Sequence, residues 1–135
     1  MPLNKRALLT SVLALPLAGA ACGRSASDVR PLPQFAYRTP ATRAAYEFAV
    51  GGGANLFTQL PCYCACVALG HAHLRDCFIS DAGIFDSHAA GCEVCVDEAL
   101  DAQRLLARGM PAGDIRAFID STYGRLGPGT KTPPV

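Results

Sequence analysis

Six cysteines, Cys62, Cys64, Cys66, Cys77, Cys92 and Cys95, lie between residues 62 and 95, and all three histidines, His71, His73 and His88, share that window. Thiolate and imidazole together are ligands for soft and borderline metals, Zn(II) and Cu(I) among them. In Cys62-Tyr63-Cys64-Ala65-Cys66 the cysteines stand two apart. On an extended segment that spacing puts three sulfurs on one side. Neighbours so close seldom bridge one another, because disulfide geometry is demanding, but they can share a metal. His88, Cys92 and Cys95 follow at offsets of four and three. If a helix already includes His88, all three stack on one face. If it begins later, Cys92 and Cys95 fall in its first turn, where the helix dipole favours thiolate. Cys77 and the pair His71/His73 lie between the clusters and could close the site. The expected ligand set is Cys62, Cys64, Cys66, His71, Cys77, His88, Cys92 and Cys95.

A closed zinc site takes four ligands, fewer than the chain offers. The surplus points to two sites or to a polynuclear thiolate cluster, which Cu(I) forms readily. The expected cofactor is therefore Cu(I) or Zn(II), with copper ahead. The spacing matches neither ferredoxin pattern of an iron–sulfur cluster. Two other readings compete. Three disulfides would make the domain a stapled binding module. That leaves the histidines without a role, and the cysteine content is below the roughly 8–10% of a disulfide scaffold. Thiol–disulfide exchange at Cys92-x2-Cys95 is the other, although the flanking βαβ pattern of a thioredoxin-like fold is missing. Tyr63 reads as packing, Cys77 equally as an unpaired buried thiol, and Asp97, Glu98 and Asp101 as a solvated helix face. The chain has no phosphate-binding glycine loop, no Ser/His/Asp ordering and no paired catalytic carboxylates. A hydrolase or transferase is the least supported class, and no small-molecule substrate is indicated.

The elements that must position these ligands are helical. Thr39-Pro40 is a helix start, with Thr as cap and Pro at the first position, and Gly51-Gly52-Gly53 ends that helix. Asn55 to Leu60 is an apolar turn closed by Pro61. Residues 62–91 carry no long periodic run and read as loops with short turns. A helix is expected from about residues 89–92 to Arg108, acidic early and basic late, with Gly109 as its cap. A last one runs from Ala112 or Asp114 to Tyr123. No strand alternation of useful length occurs. The expected fold is a small, mostly α, loop-rich single domain of three to four helices.

The N-terminus reads as an export signal. Lys5 and Arg6 precede an apolar run from Ala7 to Ala21, which is short for a membrane span but fits a signal-peptide core. It ends in Ala20-Ala21-Cys22, small residues meeting a cysteine as in a bacterial lipobox. Residues 1–21 are then a signal peptide, and residues 22–38 are a lipid-bearing Cys22 and flexible linker. Residues 39–126 are the Cys/His-rich domain, and residues 127–135 a disordered tail. The whole chain has 135 residues, a formal charge of +1 and 50% hydrophobic residues. Losing Lys5 and Arg6 turns the mature charge slightly negative, so nucleic acid is not an expected partner. A domain this small is marginal on its core alone and gains from a metal or disulfide staple.

Pro61-Cys62-Tyr63-Cys64-Ala65-Cys66 resembles the signature of bacterial PCYCGC-motif lipoproteins. So do Gly70-His71, Asp76-Cys77, the run His88-Ala89-Ala90-x-Cys92-x2-Cys95-x2-Glu98-Ala99, Asp114-Ile115-Arg116, Ile119-Asp120 and Tyr123-Gly124. The one visible departure is Ala65, where the family has glycine. Its methyl group is expected to exclude a glycine-only backbone angle while leaving the three thiols in place. The resemblance implies export to the cell envelope and lipid anchoring, and it implies no reaction. A membrane, reached through the lipid, and a metal-donor or metal-acceptor protein are the expected partners.

Overall fold

The first helix, α1 (Pro40–Val50), begins where Thr39 accepts the amide of Thr42 on its hydroxyl at 2.9 Å, with Pro40 inside the first turn. Gly51 ends it by returning its N–H to the Phe48 carbonyl. A computed structural model describes residues 30–135. The proposed signal peptide and Cys22 lie outside the described residues. Ala45, Tyr46, Phe48 and Ala49 form the buried face of α1. The single turn α2 (Ala54–Phe57) adds Leu56 and Phe57. Gly53 joins the two helices where a Cβ would stand 2.7 Å from the Phe48 ring, so only glycine fits.

The third helix, α3 (Glu93–Ala107), packs against both α1 and α4 (Ala112–Tyr123). It buries Cys95, Val96, Glu98, Ala99, Ala102 and Leu105. Ile115, Ile119 and Tyr123 are the inward residues of α4. Gly109, at φ +78°, supplies the left-handed residue that turns the chain between them. Short 3-10 turns at Cys66–Leu69, Leu74–Cys77 and Ala89–Gly91 carry the intervening segment. Among the described residues the one β feature is an isolated bridge between Ile79 and Phe85. The mostly helical, loop-rich fold agrees with the sequence reading. Among the described residues no helix is long and apolar enough to cross a membrane.

Three boundaries differ from expectation. Part of the expected linker is folded: Gln34–Tyr37 forms a 3-10 turn, Ala36 is buried, and Phe35 meets Tyr46 edge-on at 5.8 Å. The expected disordered tail is docked, with Thr130 and Thr132 both buried. Thr130 and Cys62 exchange two bonds: Thr130 N–H to the Cys62 carbonyl, and Cys62 N–H to the Thr130 hydroxyl, each 3.0 Å. Gly129 permits this approach, since a Cβ there would lie 2.7 Å from the Tyr63 ring. Finally, α3 begins at Glu93, one residue beyond an extended Cys92, so His88 is not part of it. The helical stacking of His88 with Cys92 and Cys95 is thereby excluded, and the first-turn alternative holds.

Candidate metal centre

Backbone bonds from two directions hold the Pro61–Cys66 segment. The tail grips Cys62, and Glu98 of α3 accepts the Tyr63 N–H on Oε1 at 2.9 Å. The Tyr63 ring packs against the core, as expected of it, and its hydroxyl donates to Asp120 of α4 at 2.8 Å. At Ala65 the chain leaves the extended conformation. Its φ is 63° and ψ 17°, the left-handed region that glycine favours, and it is the sole non-glycine residue with positive φ among those described. The methyl group therefore does not exclude that angle. It makes it costly, by about 1–2 kcal/mol. The bend feeds the Cys66–Leu69 turn and brings Cys66 Sγ within 3.5 Å of Cys77 Sγ.

The sulfurs converge. Cys62 Sγ lies 3.3 Å from Cys64 Sγ and 3.6 Å from Cys95 Sγ, and Cys64 and Cys95 are 3.4 Å apart. His88 Nε2 is 3.2 Å from Cys64 Sγ. All six cysteines are free. Two sets of four donors form, each with every atom within 4.8 Å of the others: Cys62, Cys64, Cys66 and Cys77, and Cys64, His88, Cys92 and Cys95. Zn–S bonds of about 2.3 Å set tetrahedral sulfur–sulfur edges of about 3.8 Å, a few tenths above these separations.

Of the expected ligands, His71 alone is in neither set. Its Nδ1 is 3.4 Å from Cys77 Sγ and its Nε2 3.6 Å from Asp86 Oδ2. An imidazole between a sulfur and a carboxylate suits an outer-sphere partner, which orients the ligand it touches. Its ring also meets His88 edge-on at 5.5 Å. His73 pairs instead with Asp76, Nδ1 to Oδ2 at 3.4 Å, and joins neither set.

Crowded thiols cannot all ionise without a cation, because each thiolate opposes the next. Hydrogen bonds from Cys62 and its neighbours hold the Cys64 thiol well below its usual range, and Cys62 also lowers Cys77. Two neighbouring thiols are correspondingly raised, Cys62 chiefly by its bond to Cys64 and Cys66 chiefly by Cys62. Cys92, beside Cys95, is lowered to about 7. Burial pushes His88 down, but the sulfurs of Cys64, Cys77 and Cys92 together outweigh it and hold the imidazole above its ordinary value.

Sequence reasoning missed Glu98. It is fully buried, not part of a solvated face, and burial pushes its carboxyl up to about 8 against the Tyr63 N–H. Its Oε2 makes no hydrogen bond. The available signal was its position three residues after Cys95, on the face of α3 that the cysteines occupy.

No curated protein and no solved structure matches the chain. The model of a family described as proteins of unknown function with a PCYCGC motif matches residues 19–134, and this protein belongs to that family.

Proposed function

We propose that the protein binds a soft metal ion, Cu(I) or Zn(II), through its Cys/His centre while held to a bacterial envelope membrane by a lipid on Cys22. There it sequesters, delivers or senses the metal. One observation carries this reading: five cysteine sulfurs besides Cys64, and the His88 imidazole, gather around Cys64 in two four-donor sets. Thiolate-rich donors select soft ions, and such binding releases the thiol protons that otherwise stay in the cluster. Metal analysis and thiol counting on the exported protein, purified without oxygen, test it. Bound copper or zinc is expected, with thiols that react fully only after the metal is removed. Three disulfides and no metal would sink the proposal. Mass spectrometry of the mature N-terminus tests the anchor, with a diacylglyceryl group on Cys22 as the expected result.

A second reading has one observation in its favour. Cys92 is half-buried, next to Cys95 at the start of α3, with a thiol lowered to about 7. That suits thiol–disulfide exchange. Disulfide reductase activity that Cys92→Ser abolishes, in protein free of metal, would favour it.

A further inference from the structure

The two donor sets use seven residues for eight positions, because Cys64 belongs to both. A thiolate sulfur has lone pairs enough to bridge two ions. One four-coordinate ion would leave three other donors unused, either the buried Cys62, Cys66 and Cys77 or His88, Cys92 and the buried Cys95. The sets also differ in access. In Cys62, Cys64, Cys66 and Cys77 only Cys64 is partly exposed, whereas Cys64, His88 and Cys92 are all partly exposed in the other. Cys92 in addition lines a cleft of about 520 Å³ with Arg38, Thr42, Ala89, Glu93 and Asp97.

Resting on the metal-binding reading, we propose that the centre holds two unequal ions joined through the Cys64 sulfur. The inner ion sits on Cys62, Cys64, Cys66 and Cys77. The outer ion sits on Cys64, His88, Cys92 and Cys95, and enters and leaves through the cleft at Cys92. An acceptor thiol meets Cys92 first. Its sulfur bonds the ion as the bond to Cys92 breaks, and its proton passes to Cys92. The inner ion, with no ligand on that cleft, is retained. The centre is thus a store with one exchangeable position.

The full chain bearing Cys22→Ser, reduced and kept anaerobic, is titrated with Cd(II) and followed by cadmium NMR and by chelator competition. Two ions per chain are expected, giving two resonances coupled through the shared sulfur, one from four sulfurs and one from three sulfurs and a nitrogen. The chelator withdraws one ion quickly and the other slowly. Cys92→Ser removes the fast phase and keeps the slow one. His88→Ala, milder for folding, weakens the fast ion by at least about tenfold and spares the other. One ion per chain, two uncoupled resonances, or a fast phase that survives both substitutions overturns the proposal. No bound cadmium at all overturns the metal-binding reading instead.

Discussion

Around Phe57 the chain packs ring on ring. Phe48 meets it edge-on at 5.3 Å, Phe78 lies at 5.7 Å, and Phe78 in turn meets Tyr46 at 5.0 Å. The Tyr46 hydroxyl, the polar atom of that cluster, donates to the Asp86 carbonyl at 2.6 Å. Around Cys64 the rules are different. Six sulfurs crowd together, Ala65 holds a left-handed angle, and Glu98 is buried with one oxygen unbonded. Two more buried side-chain atoms among the described residues make no hydrogen bond: Arg75 Nε, in the turn that carries Cys77, and His73 Nδ1 just before it, which has only its 3.4 Å ion-pair contact with Asp76. Strain and unmet polar groups gather where a structure is shaped for a task other than its own stability. The aromatic region supplies the stability that the sulfur region spends.

Phe57→Ala should break the comparison from the stable side. A fully buried aromatic ring lost from a packed core costs about 4 kcal/mol. Urea unfolding of the metal-free protein measures it. The folded fraction is expected to keep its full metal capacity, since Phe57 belongs to neither donor set. A loss of capacity in protein that is still folded would show that the two regions are one.

Glu98→Gln probes the sulfur side. In the unfolded chain this carboxyl ionises near 4.5, while in the folded protein it keeps its proton until about 8. Between those values the unfolded state binds fewer protons, so stability is highest below the window and falls as pH rises through it. From pH 5 to pH 7 the loss attributable to Glu98 is on the order of 2–3 kcal/mol. Glutamine cannot ionise and still offers an oxygen to the Tyr63 N–H. The variant should therefore lose less stability than the parent over that range, measured metal-free by thermal melts. Equal slopes would mean that water reaches the carboxylate.

Arg116→Ala tests the tail that holds the sulfur loop. The guanidinium donates to the Pro133 carbonyl at 2.7 Å, the Gln59 carbonyl at 3.0 Å and the Thr132 carbonyl at 3.3 Å, and it pairs with Asp120. Removing it should cost about 1–2 kcal/mol. Hydrogen exchange at the Thr130 and Cys62 amides should accelerate together, because those residues bond to each other. Exchange unchanged at Cys62 would mean that the tail rides on the loop without holding it.

What could be read in advance followed locality. Thr39, Pro40 and Gly51 mark α1 through bonds within a few residues, and the apolar spacing of Ile115 and Ile119 marks α4 in the same way. Seven of the eight expected donors come together, and they stood out in the sequence because cysteine and histidine are rare residue types. The tail was not, since Gly-Pro-Gly-Thr carries no periodicity, and its partner Cys62 lies 68 positions away. Glu98 was misjudged for a similar reason. Its neighbours in sequence, Asp97 and Asp101, read as a wet face, and only the distant Tyr63 amide shows that the side chain points inward.

Ala65→Gly has the smallest expected effect and opposes the others in sign. The left-handed angle costs alanine about 1–2 kcal/mol. Glycine pays none of this but loses more backbone freedom on folding, roughly 0.5–1 kcal/mol. The difference favours the glycine variant by about 0.5–1 kcal/mol, in metal-free and metal-loaded protein alike, if the angle at residue 65 is the same in both. Melting both forms of both proteins checks this. A gain confined to the metal-free form would mean that the ion moves the backbone at Ala65. The sulfur loop would then be remade on loading, whereas an equal gain means that the bend placing Cys66 beside Cys77 is built before any metal arrives.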